Sequence, residues 1–380
     1  MSLPACSRPL YSAYDVVVVG ARAAGASTAM LLARAGLSVL VLDRGRYGLD
    51  TLSTHALMRG GVRQLSRWGL LPSIWAAGTP PISTVTFHYV DDVVSVALRG
   101  ALCAPRRTVL DPCLVDASVR AGAEVRYGFE VTALDVDVEG RVVGVRARSR
   151  RGPDLAVRAG LVIGADGARS VVARLAGSVV RHQARDAGAY VYGYWSGTDV
   201  TGYEWAYRPG VTAGFIPTND GRVCVFVGST PGRVGRGGRE VFDALLAEAS
   251  PDMASRLAAG AAHGVVRTFP GRPGYLRQAW GPGWALVGDA GSWKDPISTH
   301  GLSDALRDAE LLARAVVDDT LDGYEAERDR RTRPLLDVAD EVVGYRWDSD
   351  SIRPLLRSLG DAMKDEVSAS PRSPENAGRR

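Results

Sequence analysis

The chain has 380 residues, 46% of them hydrophobic and 23% charged, a composition that predicts a globular protein with a large core and excludes disordered, collagenous and disulfide-stapled classes for most of its length. The formal net charge is only +4, and the arginines are scattered among acids, so the composition gives no support to nucleic-acid binding. The four cysteines lack CxxC or CxxH spacing and no run of about 18 apolar residues occurs, so we expect no metal site, no membrane insertion and a cytoplasmic location.

The first predicted element group is a βαβ unit. Residues 14–20, YDVVVVG, form an unbroken β-branched run that predicts a buried parallel strand. Residues 23–35 are rich in alanine and leucine and predict a helix that ends at Gly36. Residues 37–43 predict a second apolar strand with an acid, Asp43, at its end.

The turn between the first strand and the helix has the sequence GARAAG, residues 20–25. Gly20 and Gly25 hold the first and third glycine positions of a dinucleotide fingerprint, and Asp43 follows at the spacing of a carboxylate that binds ribose hydroxyls. Arg22 replaces the middle glycine. If its φ is negative, its side chain can point away from the phosphates or bind them through the guanidinium; projection into solvent is the alternative.

The rest of the chain continues the α/β pattern around an aromatic-rich middle segment. The pattern predicts strands over 85–99 with a turn at 91–92, a helix over 108–121, strands over 124–138, 141–148 and 155–164, short antiparallel strands within 190–229, helices over 240–249 and 251–259, a strand over 284–287, a helix over 303–317, and a disordered tail after about residue 368.

Three motifs together resemble a known class of flavoproteins. They are VVVVGARAAGASTAMLLARAGLSVLVLDR near the N-terminus, GADGARSVVARLAG in the middle, and WALVGDAGSWKDPISTHGLSDALRDAELLARAV near the C-terminus. The chain resembles the class A FAD-dependent monooxygenases of the para-hydroxybenzoate hydroxylase type. LDTLSTH and SWKDPISTHG are similar to an actinobacterial branch of FAD-dependent oxidoreductases in which GAR is usual. The resemblance implies an α/β fold: a Rossmann-like FAD-binding domain of the GR2 type, an inserted mainly antiparallel substrate sheet and a C-terminal helical segment.

The resemblance also implies a division of the chain. We expect the FAD-binding domain in three parts, residues 12–84, 101–180 and 276–335, substrate-domain strands at 85–100, the antiparallel substrate domain at 181–275, C-terminal helices at 336–367 and a tail at 368–380.

The cofactor implied by the resemblance is FAD, with NAD(P)H as a transient co-substrate. Arg107 would reach the FAD phosphates or ribityl chain, Val131 would present its backbone to the adenine, and Asp289 would bond the ribityl region. The helix start at residues 299–303 would point N–H groups at flavin N1 and O2, where reduced flavin is negative. The full expected set is Gly20, Arg22, Ala23, Ala24, Gly25, Asp43, Arg44, Arg107, Val131, Asp166, Gly288, Asp289, Pro296, Gly301 and Leu302.

Three side chains are candidates for catalysis beside the flavin ring. Lys294 is one of only two lysines in the chain; it could offset negative charge on reduced flavin, or pair with Asp295 at the surface. His300 could donate a proton or serve as a helix cap. His55 could be an acid or base, a substrate ligand, a covalent flavin anchor or a structural residue.

The aromatic segment predicts where a substrate would bind. Tyr, Trp and Phe alternate along the strands within 190–229, so some rings must face the core and others a cavity, which suits a planar or hydrophobic substrate. The expected pocket residues are Tyr192, Tyr194, Trp205, Phe215, Pro217 and Trp293.

The leading interpretation is a hydroxylase or epoxidase that uses NAD(P)H, O₂ and a flavin C4a-hydroperoxide on a small aromatic or hydrophobic natural-product substrate, as a monomer or homodimer. The alternatives are a dehydrogenase or reductase, including one that saturates isoprenoid double bonds, and a non-redox, cyclase-type use of the pocket. A halogenase is disfavoured because the WxWxIP signature is absent; the nearest segment is TAGFIP at 212–217.

Overall fold

The computed structural model describes residues 13–368, so the predicted tail from residue 369 onward lies outside the described residues. The α/β class with an added antiparallel sheet and C-terminal helices is confirmed. Within residues 13–368 no helix combines the length and apolarity needed to cross a membrane.

The strands of the described residues are β1 (Ala13–Val19), β2 (Val39–Asp43), β3 (Ile82–His88), β4 (Val93–Leu102), β5 (Glu124–Tyr127), β6 (Phe129–Val136), β7 (Val142–Ser149), β8 (Leu155–Gly164), β9 (Val180–Gln183), β10 (Ala189–Ser196), β11 (Tyr203–Arg208), β12 (Val211–Pro217), β13 (Arg222–Ser229), β14 (Ala261–Phe269), β15 (Tyr275–Arg277), β16 (Trp280–Gly281), β17 (Trp284–Leu286) and β18 (Ser292–Trp293).

The helices are α1 (Ala23–Arg34), α2 (Arg59–Arg67), α3 (Leu71–Ala76), α4 (Arg107–Arg120), α5 (Val171–Leu175), α6 (Pro231–Val234), α7 (Arg239–Ala249), α8 (Pro251–Ala258), α9 (Gly301–Val317), α10 (Leu321–Val343) and α11 (Ile352–Ser368), with 3₁₀ turns at Gly288–Ala290 and Pro296–Ser298. The helix α10 crosses residue 336, where the C-terminal helices were expected to begin.

The first sheet is built on the predicted βαβ unit. Its strand order is β16-β17-β8-β1-β2-β5, and β1 pairs in parallel with both β2 and β8. Val18 of β1 lies opposite Val41 and Ile163. One face packs against α1, α4 and α9. The other is covered by the antiparallel strands β6 and β7, which continue from β8. Because both faces are covered, the strands are continuous apolar runs rather than alternating ones.

The second sheet is mainly antiparallel, with the order β14-β10-β13-β12-β11-β3-β4. Its side chains alternate between two faces, as the pleat requires. One face presents Tyr192, Trp205 and Phe226, and packs partly against the C-terminal helices α10 and α11. The opposite face presents Phe215 and packs against Phe242 of α7. The aromatic face is therefore the side on which a substrate can meet the first sheet.

Candidate cofactor and substrate cleft

A cleft of about 500 Å³ runs between the two sheets. One end is lined by Gly20, Asp43 and Arg44, at the carboxyl ends of β1 and β2. The other end, which we call the aromatic end, is lined by Tyr190, Tyr192, Phe226, Phe269 and Trp293. A ligand site outside the carboxyl ends of parallel strands is the arrangement expected of an α/β sheet.

The two glycines of GARAAG are required by close packing. Gly20 has a φ of +107°, and a Cβ on it would lie 2.4 Å from the carbonyl oxygen of Ala165. A Cβ on Gly25 would lie 1.9 Å from the carbonyl oxygen of Gly20. Gly25 is therefore behind the cleft wall, where it lets α1 approach β1. The middle glycine of the pattern is not required, since Arg22, which replaces it, has extended backbone with φ −95° and ψ −168°.

Positive charge gathers where α1 begins. Ala23 and Ala24 line the cleft at the helix N-terminus, together with Arg22 and Arg107. Partial burial lowers the pKa of Arg22, and the charge of Arg107 lowers it further. Two guanidinium groups beside the free N–H groups of a helix start fit a diphosphate, which supplies negative charge and acceptor oxygens.

Asp43 and Arg107 are each held by hydrogen bonds within the protein. Asp43 accepts hydrogen bonds from the N–H groups of Ala21 at 2.8 Å and Gly45 at 2.6 Å. An ionised carboxylate has about four acceptor positions, so Asp43 can also accept from ribose hydroxyls. Arg107 is buried and its Nε donates to Asp111 at 2.9 Å.

Asp289 provides a direct test of whether the cleft fits FAD. Its side chain lines the cleft and accepts no hydrogen bond from the part of the chain that the structure describes. Burial raises its pKa to about 6, against the opposing charge of Arg107. The side chain is half-buried at the cleft wall, and the ribityl hydroxyls of FAD are donors that a carboxylate in this position can accept from. The residues therefore fit FAD.

Other expected cofactor residues divide into wall and packing positions. Arg44, Val131, Pro296, Gly301 and Leu302 line the cleft. Gly288 does not: its φ is +61°, and a Cβ on it would lie 2.8 Å from Cβ of Ala24, so it brings the Gly288–Ala290 turn against α1.

Asp166 lines the cleft, but its carboxylate is already engaged. It accepts from the hydroxyl of Ser170 at 2.5 Å and the N–H of Val171 at 2.6 Å, and so caps the start of α5. Burial raises its pKa, against these hydrogen bonds.

Lys294 is buried in the cleft wall rather than at the surface. Its side chain is 2% exposed, and its Nζ lies 2.5 Å from Oδ2 of Asp304, which also pairs with Arg307 at 2.9 Å. Burial raises the pKa of Asp304, but the charges of Lys294 and Arg307 outweigh burial and lower it overall.

The alternative pairing of Lys294 with Asp295 is wrong. The carboxylate of Asp295 is buried and accepts instead from the hydroxyl of Tyr190 and from the N–H groups of Gly188 and Ile297. These three donors come from segments far from the surface, which explains why Asp295 turns inward.

His55 is completely buried at the cleft wall and has a left-handed φ of +66°. Its Nε2 lies 2.5 Å from the hydroxyl oxygen of Tyr194. Burial lowers its pKa to about 3, with Asp50 opposing that shift and Arg106 adding to it. His55 is therefore neutral at pH 7.

His300 occupies the N-cap position of α9, but its side chain makes no capping hydrogen bond to that helix. Its Nδ1 instead lies 2.9 Å from the carbonyl oxygen of Ser298. His300 is buried and is not among the residues that line the cleft. The backbone at His300 is helical, which turns its side chain away from the N–H groups that a cap would bind.

The structure brings two of the six expected substrate-pocket residues to the cleft wall. Tyr192 and Trp293 line the cleft, whereas Tyr194, Trp205, Phe215 and Pro217 do not. Tyr194 is one layer behind the wall, in contact with His55 and Tyr192, which line the cleft.

The misplaced rings have two physical causes. Phe215 is on the face of β12 that points away from the cleft, because the side chains of successive residues point to opposite faces of a strand. Trp205 is on the aromatic face but lies behind Phe226, with ring centroids 5.9 Å apart.

Sequence reasoning missed Phe226, Phe269 and, apart from His55, the loop over residues 51–56, all of which line the cleft. Tyr192 pairs with Phe226 across β10 and β13, and Tyr190 pairs with both Phe269 and Gly228. Only strand register brings these rings together. Tyr190 was available as a signal, since it is two residues before Tyr192 on the same strand face.

Comparisons with known proteins agree with this geometry. A family profile described as FAD binding domain matches residues 13–339. Digeranylgeranylglycerophospholipid reductase 1 of Methanopyrus kandleri is 31% identical over 358 residues, which cover 87% of this chain and 90% of that protein.

Solved structures share the fold. The flavin-dependent brominase Bmp2 superposes with a TM-score of 0.79 at 20% identity, covering 93% of this chain and 92% of Bmp2. PqsL of Pseudomonas aeruginosa, described as a probable FAD-dependent monooxygenase, superposes with a TM-score of 0.74 at 20% identity, covering 92% of this chain and 99% of PqsL. At these identities the likeness establishes the fold alone.

Proposed function

The chain belongs to the FAD-binding domain family, and on this premise we propose that it is a monooxygenase that inserts oxygen into a compact aromatic or hydrophobic substrate. It is a FAD-dependent oxidoreductase. When bound, FAD accepts a hydride and activates O₂, and the protein supplies binding, orientation and a dry pocket.

We assign the cofactor to the wall residues of the cleft. Asp43 and Arg44 would bind the adenosine ribose end, Arg22, Arg107 and the start of α1 the diphosphate, and Asp289 the ribityl hydroxyls. Lys294 would place its ammonium near the ring, where it offsets negative charge as the flavin is reduced.

The observation that supports a compact substrate is the aromatic end of the cleft. Tyr190, Tyr192, Phe226, Phe269 and Trp293 surround it. Since most other wall residues belong to the cofactor part of the cleft, the space left for a substrate is short and lined with rings. Such a pocket suits a planar ring better than a long flexible chain.

NAD(P)H is proposed as the reductant. The βαβ unit of β1, α1 and β2 is assigned to FAD, and we place no nicotinamide nucleotide in it. The nicotinamide nucleotide would therefore bind transiently rather than in a second domain of its own.

A second candidate is a reductase of isoprenoid double bonds. The favouring observation is the 31% identity to the Methanopyrus kandleri reductase over 87% of this chain. A reductase needs reduced flavin and a proton donor but no O₂, so oxygen dependence separates the two functions.

The experiment is to purify the yellow holoprotein and follow flavin absorbance after adding NADH or NADPH without O₂, and then after admitting O₂. We expect reduction in the absence of O₂, reoxidation on its return, and modified aromatic product only in its presence. Product formation without O₂, or saturation of a geranylgeranyl lipid, would contradict the monooxygenase proposal. A purified protein without flavin would contradict the cofactor.

A further inference from the structure

The pair formed by His55 and Tyr194 leaves one hydrogen-bonding atom unused. The Nε2 atom of His55 faces the Tyr194 hydroxyl at 2.5 Å. The other ring nitrogen, Nδ1, is buried and has no hydrogen-bond partner in residues 13–368. Buried polar atoms without partners are uncommon in native proteins, and this one belongs to a residue of the cleft wall.

The position of the imidazole proton follows from the tyrosine. Burial raises the pKa of Tyr194 above its ordinary value, so its hydroxyl keeps its proton and needs an acceptor. Nε2 of neutral His55 is the acceptor within reach. If Nε2 accepts from Tyr194, the proton of the neutral ring must be on Nδ1.

The tyrosine is itself held in place. The guanidinium of Arg106 stacks over the Tyr194 ring with its Cζ 4.2 Å from the ring centroid. Arg106 in turn forms an ion pair with Asp50 at 2.5 Å, in the segment that leads to His55. The unusual left-handed backbone of His55 adds to this evidence, because such conformations persist only where the surroundings enforce them.

The pair lies at the aromatic end of the cleft. Tyr192, which lines that end, packs edge-on against Tyr194 with ring centroids 6.1 Å apart. His55 is thus linked through Tyr194 to the rings assigned to the substrate.

We propose that Tyr194 is a positioning residue that holds His55 with its proton on Nδ1, and that His55 thereby presents a fixed hydrogen-bond donor to an acceptor oxygen of the substrate. The substrate class is a compact aromatic compound with a carbonyl or phenolic oxygen, rather than a plain hydrocarbon. The substrate part of this inference rests on the proposed function; the tautomer does not.

The first test is nitrogen NMR of ¹⁵N-histidine-labelled holoprotein at pH 7. The chain has five histidines, and His55→Gln identifies the His55 signals by their loss. We expect one neutral tautomer with the proton on Nδ1 in the wild type. Tyr194→Phe should lower the share of that tautomer to half or less, whereas the matched control Tyr192→Phe should leave it unchanged. A proton on Nε2, an imidazolium, or an unaltered tautomer in Tyr194→Phe would overturn the proposal.

The second test measures binding of two probe pairs, acetophenone with ethylbenzene and 2-acetylnaphthalene with 2-ethylnaphthalene, by flavin difference absorbance. For at least one pair, the ketone should bind about fivefold more tightly than the hydrocarbon, as a net hydrogen bond would give. Tyr194→Phe should bring that ratio close to one. If no pair is discriminated, or if FAD binding to the apoprotein already engages the Nδ1 proton, the substrate assignment is wrong. These outcomes do not depend on O₂ or turnover, so they are separable from failure of the monooxygenase proposal.

Discussion

At the scale of single residues, the missing glycine of GARAAG is explained by backbone conformation. The sequence indicated that Arg22 is tolerable if its φ is negative, and its φ is −95°. The two glycines that remain are those whose Cβ atoms would collide with main-chain oxygens. The spacing of these glycines and of Asp43 is visible in the sequence, which is why the nucleotide turn could be predicted, whereas the contact of the arginine with phosphate could not.

Arg22→Gly tests whether the guanidinium binds the diphosphate. Since the backbone there is extended and open to any residue, the substitution removes the side chain without relieving strain. We expect the Kd for FAD to rise about fivefold, the loss of about 1 kcal/mol of hydrogen bonding, and the effect to shrink at high salt. Titration calorimetry of apoprotein with FAD measures it; equal affinities would show that the arginine contributes nothing.

Lys294→Met tests the role of the buried ammonium, and the only other lysine of the sequence provides a control. Lys364 is at the surface, with its side chain 76% exposed. We expect Lys294→Met to slow flavin reduction by NAD(P)H about tenfold, equivalent to about 1.4 kcal/mol of lost stabilisation, and Lys364→Met to leave it unchanged. Stopped-flow absorbance gives both rates. Unchanged reduction and reoxidation in Lys294→Met would remove Lys294 from the chemistry.

At the scale of elements, the apolar runs and turn residues predicted β1, α1, β2, α4, β8 and α9 with small errors at their ends. The strand β14 was missed because it lies at the sheet edge with mostly exposed side chains, so it lacks an apolar pattern. The inward turn of Asp295 was missed for another reason. Its partners Gly188 and Tyr190 are more than 100 residues earlier in the chain.

Asp295 links three elements and gives the stability a pH dependence. Burial raises its pKa from 3.8 to about 6. Between these pH values the folded state binds more protons than the unfolded state, so the free energy of unfolding falls as pH rises. The shift of about two pKa units corresponds to about 3 kcal/mol.

The free energy of unfolding of Asp295→Asn, taken relative to that of the wild type, should therefore rise by up to about 3 kcal/mol between about pH 4 and pH 6.5. Urea unfolding at each pH measures this difference. The pKa of Asp289 is also raised, but Asp289 is present in both proteins, so its contribution cancels in the difference. Tyr190→Phe retains the carboxylate and should retain the wild-type trend. A difference between Asp295→Asn and wild type that is constant with pH would contradict the assigned pKa.

At the scale of the whole molecule, the cofactor part of the cleft was more predictable than the substrate part. The cofactor part includes Gly20, Arg22, Asp43 and Asp289. These residues lie in or beside short contiguous motifs whose spacing predicts the local structure. The aromatic end depends on register between β10, β13 and β14, which places Phe226 and Phe269 beside the tyrosines. It also depends on the C-terminal helices, which cover the rest of the aromatic face. Neither is encoded in a local pattern.

The two sheets also explain why the family alone does not decide the reaction. The first sheet supplies a cofactor cleft common to flavoproteins of different chemistry, while the residues of the second sheet determine which substrate reaches the ring. The buried Lys294 and the pair His55–Tyr194 are the features of this chain that join the two parts.

The measurement that tests the central claim most directly is the fate of labelled oxygen. Holoprotein, NAD(P)H and compact aromatic ketones and phenols would be incubated under ¹⁸O₂, and the products analysed by mass spectrometry. The proposed monooxygenase predicts one heavy oxygen atom in the product and no product without O₂. A product that has gained hydrogen without heavy oxygen, formed equally well under nitrogen, would contradict it and identify the chain as a reductase.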